Sequence, residues 1–305
     1  MRVFIAKKGL SGGPRSFRDR LIKQFNKMDD ISVVYGGKFD VELALIRSTK
    51  KHNKPVVLRL DGCYYEKGRL GANKAIKKAI NTADRIIFQS NFSKKMLHNL
   101  LKIPNNKMLN SSVIYNGIDL DYVDSIKPRC EKKPMSFACA ASWRPNKRPM
   151  SIVKGFLEAD IEDGTLYVMG KNFPKKIKDK RIKYLGNISA SDVISVFKSC
   201  NYLIHLCHID SCPNVVIEAL ACNMLVLHTN LGGTKELVGD RGVELNVDKW
   251  RWNFIQSISD NIPRSEVLHG IKSIVDVNSR DVNAFELSIE SCAEKYAKVM
   301  MGAIK

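Results

Sequence analysis

The chain has 305 residues, of which 44% are hydrophobic and 27% are charged. This composition is typical of a globular protein long enough for two domains, and it excludes disordered and fibrous chains. The sequence contains no apolar run of membrane-spanning length, and the apolar segment after Met1 is too short for a signal peptide. We therefore expect a cytoplasmic protein whose eight cysteines are free thiols.

The whole chain has a net charge of +19, and most of the excess positive charge lies in its N-terminal part. Residues 1–133 hold 28 Lys and Arg against 12 Asp and Glu, whereas residues 134–305 hold 22 against 19. An excess of this size attracts polyanions such as nucleic acid, an acidic membrane surface or a phosphorylated substrate. The alternative interpretation is a surface charge that only keeps the protein soluble.

Apolar periodicity predicts alternating strands and helices in the N-terminal part. The predicted strands are Val3–Ala6, Ile31–Tyr35, Pro55–Leu60, Arg85–Phe88 and Ser111–Tyr115. The predicted helices follow Gly12-Gly13-Pro14, cover Val41–Lys51 and residues 70–81, and begin near Asn91. Strands that alternate with helices of this length predict a parallel sheet covered on both faces.

A second unit of the same kind follows residues 127–134, where two prolines among charged residues predict a linker. Five strands are predicted at 136–141, 165–169, 182–185, 202–206 and 225–228, with helices at 149–158, 190–199, 215–222 and 284–301. We therefore predict one domain over residues 1–133, a second domain over 134–283 and a C-terminal helix over 284–305. Ligands bind at the carboxyl ends of parallel strands, so we expect the site in a cleft between the two sheets.

Two carboxylates eight residues apart flank a predicted helix start. Asp210 precedes a tight loop of Ser211, Cys212 and Pro213, and Glu218 lies in the first turns of the helix. A helix N-terminus presents N–H groups and a positive dipole end that suit phosphate. Taken alone, the segment fits equally well an N-capped helix with Glu218 facing solvent.

Five short segments, in order along the chain, resemble motifs of retaining glycosyltransferases with the GT-B architecture, in particular family 4. Asp210–Glu218, continued by Ala219–Cys222 and Leu225–Leu227, resembles the E-x7-E region; the others are Ala83–Ser90, Val113–Asp119, Ser142–Arg148 and Gly232–Val238. The resemblance implies an α/β fold of two Rossmann-like doubly wound domains facing across a cleft, with a C-terminal helix returning to the N-terminal domain. Residues 1–133 would then be a short acceptor-side domain, and residues 134–283 the nucleotide-sugar-binding domain. It also implies transfer of a sugar from a nucleotide-diphosphate sugar to a glycan, lipid or protein-linked acceptor, with retention of configuration.

The resemblance assigns a role to each matching residue. Asp210 would touch the donor sugar near its departing phosphate, Glu218 would bind the ribose, and Arg144 and Lys147 would neutralise the diphosphate. Residues expected to help in donor binding are Arg148, Ser211, Cys212, Pro213, Asn214 and Val215, and the glycine-rich loop with Gly12 and Gly13. Asp61 would either receive the proton of the acceptor hydroxyl or shape the turn after its strand. Because cations stand where other transferases use a metal, no metal and no cofactor is expected.

Several features depart from the family or compete with this interpretation. Asp210 is shorter than the family's Glu, and Cys212-Pro213 replaces Phe-Gly, which leaves the donor sugar open. Asp119 and Asp121 have the D-x-D spacing of metal-dependent transferases, but they follow the interdomain turn and are interpreted as structural. The histidines and cysteines at 205, 207, 208 and 212 have no second pair at zinc-finger spacing, so no zinc site is predicted.

Two other functions remain as alternatives: nucleic-acid binding, and a non-catalytic GT-B module with a reduced acceptor site. Against the first, the sequence contains no RNP1, KH or helix-turn-helix pattern. The basic N-terminal part favours an anionic acceptor or peripheral contact with a membrane surface, around Lys74, Lys77, Lys78, Lys94 and Lys95.

Overall fold

In the computed structural model, which describes residues 1–7, 9–48, 52–255, 258, 261–277 and 284–304, the chain divides into two units. Unit 1 comprises Met1–Asp119, Arg251–Ser257 and Phe285–Lys305; unit 2 comprises Leu120–Trp250 and Ile258–Ala284. The first division precedes the linker expected at 127–134. Backbone bonds explain why: the N–H of Arg129 donates to the carbonyl oxygen of Ser195 at 3.0 Å, within unit 2.

Unit 1 is built on a parallel sheet whose strand order is β2-β1-β3-β4-β5-β6. Its strands are β1 (Arg2–Phe4), β2 (Ser32–Val34), β3 (Val41–Leu45), β4 (Val56–Leu60), β5 (Arg85–Phe88) and β6 (Ser111–Val113). Its first helices are α1 (Gly12–Phe25), α2 (Asn73–Thr82), α3 (Asn91–Leu101) and α4 (Asn105–Leu109). Strand β4 and most of β5 are buried on both faces, as the continuous apolar runs predicted, and β3 is buried in the same way.

The prediction of a helix over Val41–Lys51 is wrong. The chain forms strand β3 over Val41–Leu45, and residues 49–51 lie outside the described part. All five residues of β3 are buried, because the strand pairs with both β1 and β4. The charged Glu42 is 2% exposed, and its carboxylate is satisfied by His52 Nε2 at 2.7 Å and Ser48 Oγ at 3.0 Å. Unit 1 therefore has six strands among its described residues, where five were predicted.

Unit 2 contains a second parallel sheet, with the order β12-β11-β10-β7-β8-β9. Its strands are β7 (Ser136–Ala140), β8 (Thr165–Met169), β9 (Ile182–Gly186), β10 (Tyr202–His205), β11 (Leu225–Thr229) and β12 (Gly242–Leu245). Its helices are α5 (Leu120–Ser125), α6 (Pro149–Ala159), α7 (Ala190–Lys198), α8 (Asn214–Ala221), α9 (Thr234–Val238) and α10 (Arg264–Val275). Strand β12 was not predicted, since it is a short, partly exposed edge strand that begins with glycine.

The last helix, α11 (Ile289–Ile304), belongs to unit 1. Its buried face, which includes Cys292 and Tyr296, packs with Phe17 of α1 in the core of that unit. The expected return of the C-terminal helix to the N-terminal domain is thus confirmed. The eight cysteines, all in described parts of the chain, are free thiols as predicted. None of the described helices combines the length and apolar character needed to cross a bilayer.

The strand order reverses once in each sheet. In unit 1 the reversal lies between β1 and β3, and in unit 2 it lies between β7 and β10. The loops that leave the carboxyl ends of such neighbouring strands diverge to opposite faces of the sheet, and the crevice between them is where doubly wound folds bind ligands. The β7–β10 reversal therefore marks the place in unit 2 to examine for a site.

Helix α6, which begins directly after the loop at the end of β7, packs against α10 at a glycine. A Cβ built at Gly155 would lie 2.2 Å from Cγ1 of Val267. We expect Gly155→Ala to lower the free energy of unfolding by about 1–3 kcal/mol, because the two helices must separate. The control is Gly302→Ala in α11, where the new Cβ meets nothing within 4 Å; it should raise stability by up to about 1 kcal/mol. Urea denaturation measures both, and effects of the same sign would contradict the packing argument.

Candidate functional site

Two loops at the strand-order reversal of unit 2 carry most of the predicted donor-site residues. One loop, residues 141–148, follows β7, and the other, residues 206–213, follows β10. The backbone N–H of His208 donates to the carbonyl oxygen of Asn146 at 2.9 Å, which ties the loops together. Side chains far apart in sequence are thereby held at one edge of the sheet.

The loop after β7 is supported from the side of β8. The indole N–H of buried Trp143 donates to the carbonyl oxygen of Met169 at 2.9 Å. The next residue, Gly170, has φ +111° and lies so close to the loop that a Cβ would be 1.8 Å from the carbonyl oxygen of Ala141. Only glycine accommodates both the backbone angle and this approach. These contacts fix the part of the loop that lies N-terminal to Lys147.

Lys147 and Asp210 form an ion pair at the centre of the site. Their Nζ and Oδ2 atoms are 2.6 Å apart, and the two side chains are 14% and 23% exposed. The Cys212 N–H also donates to the Asp210 carboxylate, and the Gly233 N–H donates to the Asp210 carbonyl oxygen at 2.7 Å. The structure thus brings together two of the residues that the resemblance assigned to the donor.

Each partner of this pair keeps the other charged. Burial alone would raise the pKa of Asp210, but the nearby Lys147 ammonium holds that pKa below its usual value. Burial alone would lower the pKa of Lys147, but the Asp210 carboxylate raises it above the usual value. Both groups are therefore ionised near neutral pH, and the pair carries no net charge.

Two uncharged groups at the end of β10 lie beside the pair. His205 and Cys207 are 6% and 2% exposed, and His205 Nε2 is 3.9 Å from Oδ2 of Asp210. Burial and the Lys147 charge lower the pKa of His205 to about 3, and burial raises the pKa of the Cys207 thiol. The imidazole is therefore neutral and the thiol protonated, so neither competes with Asp210 for the ammonium charge.

Arg148 is held by a carboxylate that the sequence analysis did not identify. Its guanidinium donates to both oxygens of Asp248, at 2.7 Å and 2.5 Å, and the two side chains are 4% and 5% exposed. His208 Nδ1 lies 2.9 Å from Oδ1 of the same carboxylate. Burial raises the pKa of Asp248, but hydrogen bonds from Arg148 and His208 bring it below the usual value. Arg148, a predicted donor contact, therefore has its guanidinium committed to a buried ion pair.

No local pattern could have revealed Asp248, because it lies 100 residues after Arg148 in sequence. Its own loop is fastened by Asn230, whose Oδ1 accepts the Asp248 N–H at 3.0 Å and whose Nδ2 donates to the Asp248 carbonyl oxygen at 2.9 Å. Arg148 also has φ +53°, an angle that costs free energy in a residue with a side chain. The bidentate pair with Asp248 holds the backbone in this conformation.

The remaining donor-loop residues gather around the start of α8. The helix begins at Asn214 with Pro213 at its N-cap, and Cys212 and Pro213 are buried. The partly exposed members of the set are Ser211, Asn214, Val215 and Glu218. Asp210 therefore stands just before the amino end of an eight-residue helix, with Glu218 in its second turn.

Arg144 differs from its two basic neighbours because it is exposed. It precedes a 3-10 turn over Pro145–Lys147, and its carbonyl oxygen accepts the Lys147 N–H at 2.9 Å. Within the described part of the chain it takes part in no ion pair. Its positive charge is therefore not neutralised by a carboxylate there.

Asp61, the predicted acceptor-side residue, belongs to unit 1 and follows β4. It forms a salt bridge with Arg59, which is 1% exposed, while the Asp61 side chain is 23% exposed. Arg59 also donates to Oδ1 of Asn116 at 2.9 Å and lies 4.2 Å from the ring centroid of Phe17. Asp61 thus balances a buried guanidinium and still reaches the surface at the end of its strand.

The other unit 1 candidates are simpler. Gly12 and Gly13 are exposed and begin α1, where Gly12 has φ +60°. Asp119 pairs with Lys23 at 3.0 Å, whereas Asp121 already belongs to unit 2 and lies in the first turn of α5. The D-x-D spacing of these two aspartates thus coincides with an ion pair to α1 and with a helix start.

Protein-family models match a large part of each unit. The model described as Glycosyltransferase Family 4 matches residues 4–122, and the one described as Glycosyl transferases group 1 matches residues 152–260. The chain belongs to the family 4-like glycosyltransferases with the GT-B fold.

Individual relatives of this GT-B glycosyltransferase are distant. An uncharacterized glycosyltransferase of Methanocaldococcus jannaschii is 28% identical over 170 residues, which are 54% of this chain and 45% of that protein. The O-antigen chain mannosyltransferase B of Escherichia coli is 19% identical over 223 residues, covering 65% of this chain and 58% of that protein. The matched part thus spans about half of the length of these curated relatives.

Solved structures support the fold over the whole chain. HepE of Anabaena, solved with UDP, has a TM-score of 0.71 at 14% identity and covers 99% of both chains. A glycosyltransferase from Rickettsia africae has a TM-score of 0.64 at 14% identity, covering 100% of this chain and 98% of the other. At this level of identity the likeness shows the fold alone.

The Arg148–Asp248 pair gives a test of how this GT-B glycosyltransferase holds its donor-side loops. We expect Asp248→Asn to lower the free energy of unfolding by about 3 kcal/mol at neutral pH, because a buried guanidinium loses its counter-charge. As the pH falls through the lowered folded pKa of Asp248, the wild type loses the same contribution, so the difference should narrow below about pH 4.

The matched control is Asp160→Asn, which makes the same chemical change in an ion pair at the surface. The Asp160 carboxylate lies 2.7 Å from Arg181 but its side chain is 86% exposed. Its loss should cost less than about 1 kcal/mol. Urea denaturation from pH 3 to 8 compares the variants, and equal costs at neutral pH would show that burial of the Asp248 pair has no energetic consequence.

Proposed function

We propose that the chain transfers a sugar from a nucleotide-diphosphate sugar to a glycan, lipid or protein-linked acceptor, with retention of anomeric configuration. The observation that carries the proposal is the Lys147–Asp210 pair, which lies at the carboxyl ends of β7 and β10 just before α8. Membership of the GT-B glycosyltransferases supports the reaction class, and the family 4 resemblance suggests retention. HepE of Anabaena was solved with UDP and with UDP-glucose, which makes UDP-sugars the first donors to test.

The donor diphosphate would lie between Lys147 and the amino end of α8. A helix N-terminus adds the positive end of a dipole to the lysine charge, and both favour a phosphate anion. Glu218, in the second turn of α8 and partly exposed, is then placed to accept hydrogen bonds from ribose hydroxyls. Arg144 offers an exposed guanidinium at the edge of the same loop.

Lys147 would act mainly while the glycosidic bond breaks. The electrons of the sugar–oxygen bond pass to the leaving diphosphate, whose negative charge grows as the sugar becomes positively charged. The Lys147 ammonium, shared with Asp210 in the unliganded protein, can move its hydrogen bond to the phosphate oxygen. The Asp210 carboxylate then faces the developing positive charge of the sugar. A bond of this kind strengthens in the transition state and therefore raises kcat.

The acceptor hydroxyl must lose a proton as its oxygen bonds to the sugar. Asp61 is the candidate base in unit 1, since part of its carboxylate reaches the surface. Its carboxylate forms a salt bridge with Arg59, and its remaining lone pairs can accept a hydrogen bond from the acceptor hydroxyl. The same salt bridge also fits the alternative role of Asp61, which is to shape the turn after β4, and the proposal includes both roles.

Lys147 and Arg144 of the β7 loop and Glu218 of α8 should differ in their kinetic effects. Lys147→Ala should lower kcat about 100-fold, because its charge is needed most at the transition state. Arg144→Ala should raise the KM for the donor about tenfold with a smaller change in kcat, since its charge is not offset by a described carboxylate. Glu218→Gln should also raise the donor KM about tenfold by weakening the ribose contact. Initial rates with a panel of nucleotide-sugars measure these effects.

Two controls accompany these assays. Lys235→Ala removes a lysine of unit 2 that is 66% exposed and pairs with Glu244 at 3.1 Å, and it should leave both constants unchanged. EDTA should not abolish turnover, because in this proposal cationic side chains perform the task of a metal. An unchanged kcat in folded Lys147→Ala, or a metal requirement restored by manganese, would overturn the proposed leaving-group chemistry.

A binding assay separates this function from nucleic-acid binding and from a non-catalytic module. Thermal stabilisation by a nucleoside diphosphate, lost in Glu218→Gln, is expected of a donor site. Stabilisation without turnover of any donor would indicate a non-catalytic module. Tight binding of a labelled oligonucleotide with no response to nucleotide would favour the alternative drawn from the net charge.

The acceptor is proposed to be anionic or held at an anionic membrane surface. On α2, Lys74, Lys77 and Lys78 are exposed while Ile76, Ala79 and Ile80 of the same helix are buried in unit 1. Lys95 is exposed on α3, and Lys94 is partly so. The lysines of α2 thus form an exposed, positively charged face opposite the buried apolar face of the helix.

We expect the protein to float with vesicles that contain anionic lipid at low salt and to dissociate as the ionic strength rises. Each basic residue near such a surface contributes about 1 kcal/mol, so the double variant Lys77→Glu, Lys78→Glu should reduce partitioning at least about tenfold. The matched control is Lys175→Glu, Lys178→Glu, which makes the same charge change at exposed positions of unit 2. Equal losses in both double variants would indicate a general charge effect without a defined surface.

A further inference from the structure

Three side chains around the Lys147 ammonium have the chemistry of a metal site. The ligand atoms of His205, Cys207 and Asp210 all lie within 4.8 Å of one another. An imidazole nitrogen, a thiol sulfur and a carboxylate oxygen form a mixed donor set that suits Zn²⁺, which binds such atoms at about 2.0–2.3 Å. The three atoms therefore need to move by only about an ångström to surround one ion.

One of these ligand atoms has no partner in the described part of the chain. His205 is 6% exposed, and its buried Nε2 forms no hydrogen bond there. A buried polar atom without a partner costs free energy and is uncommon in folded proteins. Since Nε2 lies 3.9 Å from Oδ2 of Asp210, its lone pair or proton is directed towards the same space as the carboxylate.

Lys147 already places a positive charge in this space. Its Nζ lies 2.6 Å from Oδ2 of Asp210, and it also interacts with the Cys207 sulfur. An ammonium ion and a metal ion therefore compete for the same carboxylate and the same sulfur. The side chain of Lys147 is long and 14% exposed, so it can swing outwards without unfolding the loop.

We propose that Zn²⁺ binds to His205 Nε2, Cys207 Sγ and the Asp210 carboxylate, displaces the Lys147 ammonium, and thereby inhibits the transferase. The inhibition rests on the proposed function of Lys147 and Asp210, whereas the metal binding does not. Binding releases the proton of the Cys207 thiol to solvent and changes no oxidation state. The fourth position of the tetrahedral ion is left to water, as in sites with three protein ligands. The ion is thus an inhibitor of this enzyme and not its cofactor.

Cobalt tests the binding step independently of activity. Co²⁺ takes the place of zinc in tetrahedral sites, and a thiolate ligand gives a charge-transfer band in the near ultraviolet. Titration of the full chain, reduced with a phosphine that does not bind the metal, should produce this band with one equivalent of Co²⁺, and Zn²⁺ should remove it. Cys207→Ala should abolish the band, and His205→Gln should weaken binding at least about tenfold.

Two further variants make the test specific. Lys147→Met removes the competing charge but keeps the length of the side chain, so it should tighten Co²⁺ binding about tenfold or more. Cys139→Ala removes another buried thiol, in strand β7 of the same sheet, and should leave the band unchanged. An unaltered band in Cys207→Ala would overturn the proposed site. So would the absence of the band from both the wild type and Lys147→Met.

The inhibition is measured on donor turnover, each variant against its own metal-free rate. Micromolar Zn²⁺ should inhibit the wild type and Cys139→Ala, EDTA should restore their rates, and Cys207→Ala should resist. If the cobalt band appears but no donor is turned over, the metal site stands and the proposed transferase function fails. If turnover proceeds and Zn²⁺ inhibits Cys207→Ala as strongly as the wild type, the proposed inhibitory mechanism is wrong.

Discussion

The Lys147–Asp210 ion pair is the interaction on which the candidate site of unit 2 depends. It connects the loop after β7 with the loop after β10 at the point where the strand order reverses. Removing charges from water costs free energy unless each charge has a close partner. Arg148, the residue after Lys147, has such a partner in the buried carboxylate of Asp248. The loops are therefore positioned by charge balance as well as by hydrogen bonds, and under the proposed function the donor diphosphate would change that balance.

Most of the fold could be predicted because parallel strands are buried on both faces and therefore appear as uninterrupted apolar runs. Arg85–Phe88 and Thr165–Met169 were predicted with the bounds that the structure shows. The segment Val41–Lys51 was predicted as a helix, whereas in the structure Val41–Leu45 is a strand in which the Glu42 carboxylate is buried with His52 and Ser48. Local periodicity cannot reveal that a charged residue will find buried partners several residues later.

The candidate site shows the same limit at longer range. Asp210 and Lys147 could be selected from the sequence because each lies in a short motif with a recognisable spacing. Asp248 could not, because its only signal is contact with Arg148, 100 residues away. Trp143 and Gly170 were likewise not predicted as supports of the β7 loop. Their importance follows from a hydrogen bond to Met169 and a close approach to Ala141, neither of which leaves a pattern along the chain.

Charge alone cannot assign roles to the three basic residues of the β7 loop, because all three are cations within five positions. Their partners separate them. Arg148 faces a buried carboxylate with two matched hydrogen bonds, Lys147 faces a partly exposed carboxylate with one, and Arg144 faces solvent. A phosphate that binds Arg148 must replace two hydrogen bonds to a buried carboxylate, whereas one that binds Lys147 must replace a single hydrogen bond. A phosphate that binds Arg144 replaces no described ion pair. The order of availability to an added phosphate is therefore Arg144, Lys147, Arg148. Under the proposed function, this ranking favours Lys147, which exchanges one partner for another, as the cation that follows charge as it develops on the leaving group.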